Sequence, residues 1–177
     1  MKIMKLSEHF DDIEFVCDCG CGKSIKMSTI LIDRLEKLHE LMGAKAIYIN
    51  SGYRCENNPY GFKTDAHRKG IAADIMVQRK DGSYYTADEI AEAAERVGFG
   101  GIGLMYPSSC HVDTRNVDRY TNDWWHGDET NGIDYPYKNH TFIKGTKFDG
   151  ETKNVTRETK HKVTVIIDGK TVFESEV

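Results

Sequence analysis

One aspartate constrains this chain more than any other residue, because it interrupts an apolar run that otherwise predicts a buried strand. The run covers residues 70–77 (GIAADIMV), and its exception is Asp74. A carboxylate buried in a strand is unfavourable unless a donor or a cation compensates its charge. His67 precedes the strand in a polar loop, and imidazole and carboxylate are both ordinary zinc ligands. The segment predicts a metal site; the alternative is an exposed loop histidine with an aspartate that caps a turn.

The composition permits a folded domain and argues against a polyanionic partner. Of the 177 residues, 39% are hydrophobic and 29% are charged, which suffices for a core. The formal net charge of -4 offers no basic field for nucleic acid or an anionic membrane. No apolar run approaches the ~20 residues that cross a bilayer, and residues 1–10 lack the apolar segment of a signal peptide. We therefore expect synthesis in the cytoplasm and neither nucleic acid nor membrane as a partner; the oligomeric state stays open.

Hydrophobic periodicity predicts two helices and four strands before residue 116. The first helix is expected to start near Ser28, as its N-cap, and to continue through Met42 to a stop at Gly43. The second is expected at residues 87–97, after a capping box formed by Thr86 and Glu89. The predicted strands cover residues 46–50, 70–77, 100–105 and 110–115, and the last two form a hairpin. Residues 116–139 are aromatic and polar, without clear periodicity.

The last part of the chain differs in character from the rest. Residues 162–167 and 171–176 flank Asp168-Gly169-Lys170, a strand–turn–strand pattern. We expect residues 1–139 to form one domain and residues 140–177 to form a C-terminal β-hairpin extension. The extension either packs on the domain or serves in wall targeting or oligomerisation.

Three separated motifs occur in order along the chain. They are Ser51-Gly52-Tyr53-Arg54, His67-x-x-Gly70-x-Ala72-x-Asp74, and Gly100-Gly101-Ile102-Gly103 leading to His111-Val112-Asp113-x-Arg115. Together they resemble the zinc D-Ala-D-Ala carboxypeptidase family of cell-wall peptidases, over roughly residues 15–119. The branch they resemble most is found in phage endolysins and bacterial cell-wall hydrolases. The resemblance implies an α+β domain in which a small antiparallel sheet with flanking helices carries the zinc site.

The same resemblance implies His67 and Asp74 as the first two zinc ligands and His111 as the third. Alternation along a strand supports the third, because it places residues 111, 113 and 115 on one face. A rival third ligand is His126, since Asp123-Trp124-Trp125-His126 resembles the acid-x-x-His arrangement of related peptidases. We predict His111.

The general base is the least constrained part of the expected site. Relatives often carry an acid or a histidine two or three residues before the last ligand, where this chain has Ser108 and Ser109. A base must lie within hydrogen-bond reach of the attacking water. We predict Asp113, which lies beside His111 in sequence, with Asp123 as the alternative.

Arg54 resembles the family arginine that holds a substrate carboxylate or peptide oxygen, a role that suits the paired donors of a guanidinium. The alternative is a structural salt bridge across the loop. Asp65 lies where many relatives have serine, two residues before the first ligand. This exchange is expected to alter substrate contacts or the charge near the metal.

Four of the five cysteines fall in two places that the expected zinc site does not use. Cys17, Cys19 and Cys21 are separated by single residues, and Cys55 follows Arg54. Structural zinc sites normally use gaps of two to four residues between cysteines. We therefore predict a structural role without metal, with a Cys55 link to the turn under oxidising conditions; a metal cluster is the alternative.

The resemblance implies a zinc metallopeptidase that hydrolyses peptide bonds of bacterial peptidoglycan, as a carboxypeptidase or an endopeptidase. Action at the cell wall without a signal peptide favours a phage or prophage lysin. The alternative function is a non-catalytic module of the same fold, stabilised by zinc and used for wall or partner binding. The serines at positions 108 and 109 favour the module, whereas Asp113, Asp123 and Arg54 favour the enzyme.

Overall fold

A computed structural model describes residues 3–105 and 107–115, together with the backbone of four later strands. Within this part of the chain, two α-helices accompany eight strands. The helices are α1 (Thr29–Met42) and α2 (Ala87–Val97). The strands are β1 (Ala46–Ser51), β2 (Ala72–Gln78), β3 (Gly101–Met105), β4 (Ser109–Asp113), β5 (Asp123–Asp128), β6 (Gly132–Tyr135), β7 (Lys162–Ile167) and β8 (Lys170–Glu176).

Both helices begin and end where the sequence predicts. At the start of α2, the Thr86 side chain accepts from Glu89 N while the Glu89 carboxylate accepts from Thr86 N, which completes the predicted capping box. Gly43 ends α1, and its backbone N–H donates to the carbonyls of His39 and Glu40. Both helices turn their apolar residues inward, so packing adds to these local signals.

The first four strands form an antiparallel sheet, which confirms the α+β fold with flanking helices. The spatial order is β1-β2-β4-β3, and each neighbouring pair is antiparallel. The predicted hairpin is β3–β4, but β4 ends at Asp113. Arg115 therefore lies beyond the strand and does not extend its face, contrary to the sequence-based expectation.

One face of this sheet, together with both helices, forms the hydrophobic core. Its fully buried side chains come from the helices (Leu31, Leu35, Leu38, Ile90) and from the strands (Ile75, Val77, Ile102, Leu104, Val112). Because successive side chains of a strand point to opposite faces, the residues between these apolar positions face away from the helices. Asp74 and His111 occupy such positions, so the core fixes the face on which they lie.

Two strands lie in the segment where the sequence shows no periodicity. β5 pairs in parallel with β3, and β6 pairs antiparallel with β5, which extends the sheet to six strands. Pairing with an open sheet edge depends on backbone hydrogen bonds more than on an alternating pattern. The local sequence therefore did not predict them.

The backbone of β7 and β8 forms a separate two-stranded antiparallel sheet. Two expectations stay predictions here. One is the division into a domain of residues 1–139 and an extension of residues 140–177, and the other is the role of that extension. No helix among the described residues has the length and apolar character needed to cross a bilayer.

Candidate metal centre

Three side chains converge on the sheet face opposite the helices. Asp74 of β2 is the direct cross-strand partner of His111 of β4, and His67 reaches the same point from a short 3-10 turn (His67–Lys69). His67 Nε2 lies 3.1 Å from His111 Nδ1 and 3.3 Å from Asp74 Oδ1. His111 Nδ1 lies 2.9 Å from Asp74 Oδ1. The three predicted ligands thus present one atom each to a triangle with nearly equal edges.

The His67 ring is fixed by a backbone carbonyl. Its Nδ1 lies 2.7 Å from the oxygen of Gly52, and a carbonyl oxygen can only accept a hydrogen bond. Nδ1 therefore carries the proton, and Nε2 directs its lone pair towards Asp74 and His111. This outer contact, which the sequence did not predict, is typical of histidines that bind metals.

The His111 ring is fixed by a carboxylate in the same way. Its Nε2 donates to Asp113 Oδ2 over 3.0 Å, which leaves Nδ1 to face the other two ligand atoms. Asp113 is fully buried and also accepts from Arg115, whose Nε lies 2.7 Å and Nη2 2.6 Å from Oδ2. A Cβ at Gly101 would lie 2.3 Å from the same oxygen, so this glycine gives the carboxylate its room.

Asp74 is held through its second oxygen. The guanidinium of Arg54 donates to Asp74 Oδ2, which leaves Oδ1 for the two histidines. Arg54 also donates from Nη1 to Asp65 Oδ2 over 3.3 Å and from Nε to Ser51 Oγ over 3.0 Å. The structure therefore brings Arg54 to the centre, but in the salt bridges that the sequence offered as its alternative role.

The geometry of the three ligand atoms fits zinc. Ligands about 2.0–2.1 Å from a tetrahedral ion lie roughly 3.3 Å from one another, close to the three edges observed. When both histidines are neutral, three lone pairs face one another at these distances, an arrangement that is unfavourable without a cation. Two nitrogens and one carboxylate oxygen also form an ordinary donor set for a catalytic zinc.

The same contacts shift the ionisation of the centre. Burial acts to lower the pKa of His111, but hydrogen bonds to Asp113 and Asp74 outweigh it and raise the pKa to about 9. Burial acts to raise the pKa of Asp74, but its hydrogen bonds to His111 and His67 hold that pKa well below the usual range. In the metal-free protein at pH 7, His111 is therefore protonated and Asp74 is ionised.

Zinc uptake should consequently release a proton from His111. A ligating imidazole must give up the proton on the ligand nitrogen, so zinc competes with that proton at every pH below about 9. We expect the apparent zinc affinity to rise about tenfold for each pH unit between pH 7 and 8.5. Titration against a chromophoric chelator measures this slope, and an affinity independent of pH would contradict the assignment.

Two further predicted residues lie in the part of β5 whose side chains are not described. The backbone row that contains Asp74, His111 and Gly103 meets β5 at Trp125, whereas His126 pairs with Leu104. Asp123 pairs with Gly101, which is also the partner of Asp113, so the backbones of these three residues form one row two residues away. The catalytic role of Asp123 and the choice between His111 and His126 stay predictions.

Comparison with known proteins agrees with this geometry. A sequence profile of the family described as Peptidase M15 matches residues 8–113, which is 106 of the 177 residues and includes all three converging side chains. No curated protein and no solved structure matches the chain. M15 peptidases depend on zinc, and the His–Asp–His group supplies donors of the kind that zinc requires. The chain therefore belongs to the Peptidase M15 family, the zinc-dependent peptidases that act on peptidoglycan.

Proposed function

We propose that the chain is a zinc metallopeptidase that hydrolyses stem peptides or cross-links of bacterial peptidoglycan, as a phage or prophage lysin acting on the cell wall. One observation carries the proposal: the His67, Asp74 and His111 ligand atoms form an open triangle, and each ligand is oriented by an outer hydrogen bond. Three protein ligands leave one position of a tetrahedral zinc for water or substrate, as in catalytic sites.

In this proposal the roles of the side chains follow from their contacts. His67, Asp74 and His111 hold the zinc, which when bound acts as a Lewis acid on water and on the scissile carbonyl. Asp113 keeps the His111 ring in the ligating tautomer, because its oxygen accepts from Nε2. Arg54 orients Asp74 from the other side.

Asp123 is the base that we propose. Asp113 was the first choice from the sequence, but it has no exposed surface and is already bonded to His111 and Arg115, so water cannot reach it readily. Asp123 begins β5, and its backbone pairs with Gly101 at the start of β3, in the same cross-strand row as Asp113. This backbone position supports Asp123 as the candidate, and a base must lie within hydrogen-bond reach of the attacking water.

Asp65 bears on which peptidoglycan bond is cut. Its carboxylate forms a salt bridge with Arg54 Nη1, whereas in the family this arginine would be free to hold a substrate carboxylate. We expect Asp65→Asn to lower KM roughly tenfold for a peptide that ends in a free D-Ala carboxylate, about the value of one charge-assisted hydrogen bond. An internal cross-link has no such carboxylate, so its KM should not change.

Asparagine suits this test because its oxygen still accepts from His67 N, as Asp65 Oδ1 does over 3.1 Å. The fold around the first ligand is thereby kept. Equal KM values for wild type and Asp65→Asn on the carboxylate-ended peptide would contradict a substrate role for Arg54 and leave it as a positioning residue.

The alternative function is a zinc-stabilised binding module without catalysis. The serines at positions 108 and 109, where relatives often carry an acid or histidine, favour it. The two functions differ in the products formed from defined stem peptides, analysed by mass spectrometry. A carboxypeptidase releases terminal D-Ala, an endopeptidase converts cross-linked dimers to monomers, and a binding module with zinc bound produces neither.

A further inference from the structure

Four cysteine sulfurs converge away from the histidine centre. Cys17 Sγ lies 3.4 Å from Cys19 Sγ, and Cys55 Sγ lies 3.6 Å from Cys19 Sγ and 3.7 Å from Cys21 Sγ. All four ligand atoms fall within 4.8 Å of one another. The cluster thus joins the turn at residues 17–22, before α1, to the loop that follows β1.

The backbone of the turn lets Cys17, Cys19 and Cys21 approach one another, although the single-residue gaps between them were predicted to disfavour a shared metal site. Gly20 and Gly22 adopt left-handed backbone conformations, with φ of 79° and 68°. Glycine takes these values without the steric cost of a Cβ, so the chain can turn sharply between Cys19 and Cys21 and again after Cys21. A backbone bond from Cys17 N to Lys23 O, 2.9 Å long, closes the turn. Three sulfurs of a five-residue segment therefore reach one point.

The distances distinguish between two ways of joining sulfurs. A disulfide requires sulfurs about 2.05 Å apart, and all five cysteines are free thiols. Thiolates about 2.3 Å from a tetrahedral zinc lie roughly 3.8 Å from one another, close to the separations of 3.4 to 3.7 Å. The cluster has the dimensions of a metal site.

The surroundings of the sulfurs supply hydrogen-bond donors. The backbone N–H of Cys55 and the side-chain amide of Asn58 lie 3.3 Å and 3.4 Å from Cys17 Sγ. The backbone N–H of Lys23 lies 3.4 Å from Cys21 Sγ. Donors directed at sulfur stabilise thiolates, and such outer contacts accompany metal ligands in proteins.

We propose that Cys17, Cys19, Cys21 and Cys55 bind a second zinc ion in a closed, structural site. Four thiolates fill a tetrahedral shell and leave no position for substrate, which is the mark of a structural zinc. Soft sulfur donors also select zinc over the hard cations that prefer oxygen. This site is separate from the histidine centre and does not depend on the proposed function.

The position of the site explains what it would stabilise. Cys55 directly follows Arg54, which orients Asp74, and its carbonyl accepts from Arg68 Nη1 over 2.6 Å, next to His67. Arg68 also donates to the carbonyls of Asn58 and Phe62 in the same loop. Zinc would thus fix the loop between β1 and His67. Through this loop it would also hold Arg54, which orients Asp74 in the histidine centre.

The test is the zinc content of the purified full chain, by elemental analysis. We expect about two zinc ions per chain in wild type and about one in Cys19→Ser, Cys21→Ser or His67→Ala. Cys19 and Cys21 are exposed, so their replacement should leave the metal-free fold intact, as circular dichroism can check. Cys110→Ala is the control, because Cys110 is buried in β4 outside the cluster, alanine keeps its position apolar, and both ions should remain.

Two further readouts keep the proposal falsifiable. Cobalt replacing zinc should give sulfur-to-metal charge-transfer absorption that persists in His67→Ala and disappears in Cys19→Ser. The thermal midpoint of Cys19→Ser should fall by at least about 5 °C, far more than an exposed cysteine without metal would cause.

Three outcomes would overturn the second site. The first is a single zinc in wild type that only the histidine variants remove. The second is disulfide bonds among the four cysteines in the freshly purified protein. The third is iron, instead of zinc, bound by the four cysteines. If wild type carries both zinc ions and does not hydrolyse peptidoglycan, the proposed function is contradicted, whereas the four-cysteine site is not.

Discussion

His67→Ala should remove the catalytic zinc and reduce peptidoglycan hydrolysis by at least about a thousandfold. The imidazole supplies one of three ligand atoms, and Asp74 and His111 alone cannot form the three-ligand set of a catalytic zinc. The metal contributes several kcal/mol to stabilising charge in the transition state, and each ~1.4 kcal/mol lost is a factor of about ten in rate.

The measurement pairs zinc content with initial rates on purified peptidoglycan, at equal concentrations of folded protein. His9→Ala is the matched control, because His9 is a partly exposed histidine that bonds to Glu36 outside the centre. We expect wild-type rates and zinc content for His9→Ala. A His67→Ala protein that keeps both zinc content and activity would show that the ligand set has been assigned wrongly.

Asp113→Asn should weaken zinc binding about 10- to 100-fold, while kcat at saturating zinc stays within about tenfold of wild type. Asp113 Oδ2 accepts from His111 Nε2 and from the Arg115 guanidinium, and Oδ1 accepts from the backbone N–H and the Nε of Arg115. Asparagine has one acceptor oxygen, so in either orientation its NH2 group faces a donor: Arg115 N at the Oδ1 position, or His111 Nε2 at the Oδ2 position. Losses of this size in metal affinity are typical of such outer contacts.

This result distinguishes a positioning residue from a general base. If Asp113 were the base, zinc affinity would be nearly unchanged and kcat at saturating zinc would fall by about 10²- to 10⁴-fold. The readouts are the zinc dissociation constant and the rate measured across zinc concentrations. Asp33→Asn, on the exposed side of α1, controls for loss of one negative charge.

The parts of the fold that the sequence predicted are those encoded locally. The capping box of Thr86 and Glu89 and the apolar periodicity of α1 each specify their element within one or two turns. The buried aspartate in β2 indicated the metal site because an uncompensated carboxylate is unfavourable in a strand. Strand alternation predicted that His111 and Asp113 share one face of their strand, and the cross-strand pairing in the structure puts Asp74 beside His111.

What the sequence did not predict depends on tertiary contacts. β5 and β6 join an open sheet edge, and the sequence between residues 123 and 135 carries no alternation that marks them. The sequence suggested a link from Cys55 to the turn, but the close approach of all four sulfurs depends on the loop after β1 folding back onto that turn. The partners of Asp113 and Arg54 likewise follow from packing, and no spacing rule gives them.

One measurement tests the central claim most directly: digestion of purified peptidoglycan by the zinc-loaded full chain, with products identified by mass spectrometry. The account predicts shortened or un-cross-linked stem peptides, which disappear when a chelator removes the metal and return when zinc is restored. Intact peptidoglycan after incubation with protein that carries zinc in the histidine centre would contradict it, and would leave the fold with a binding role.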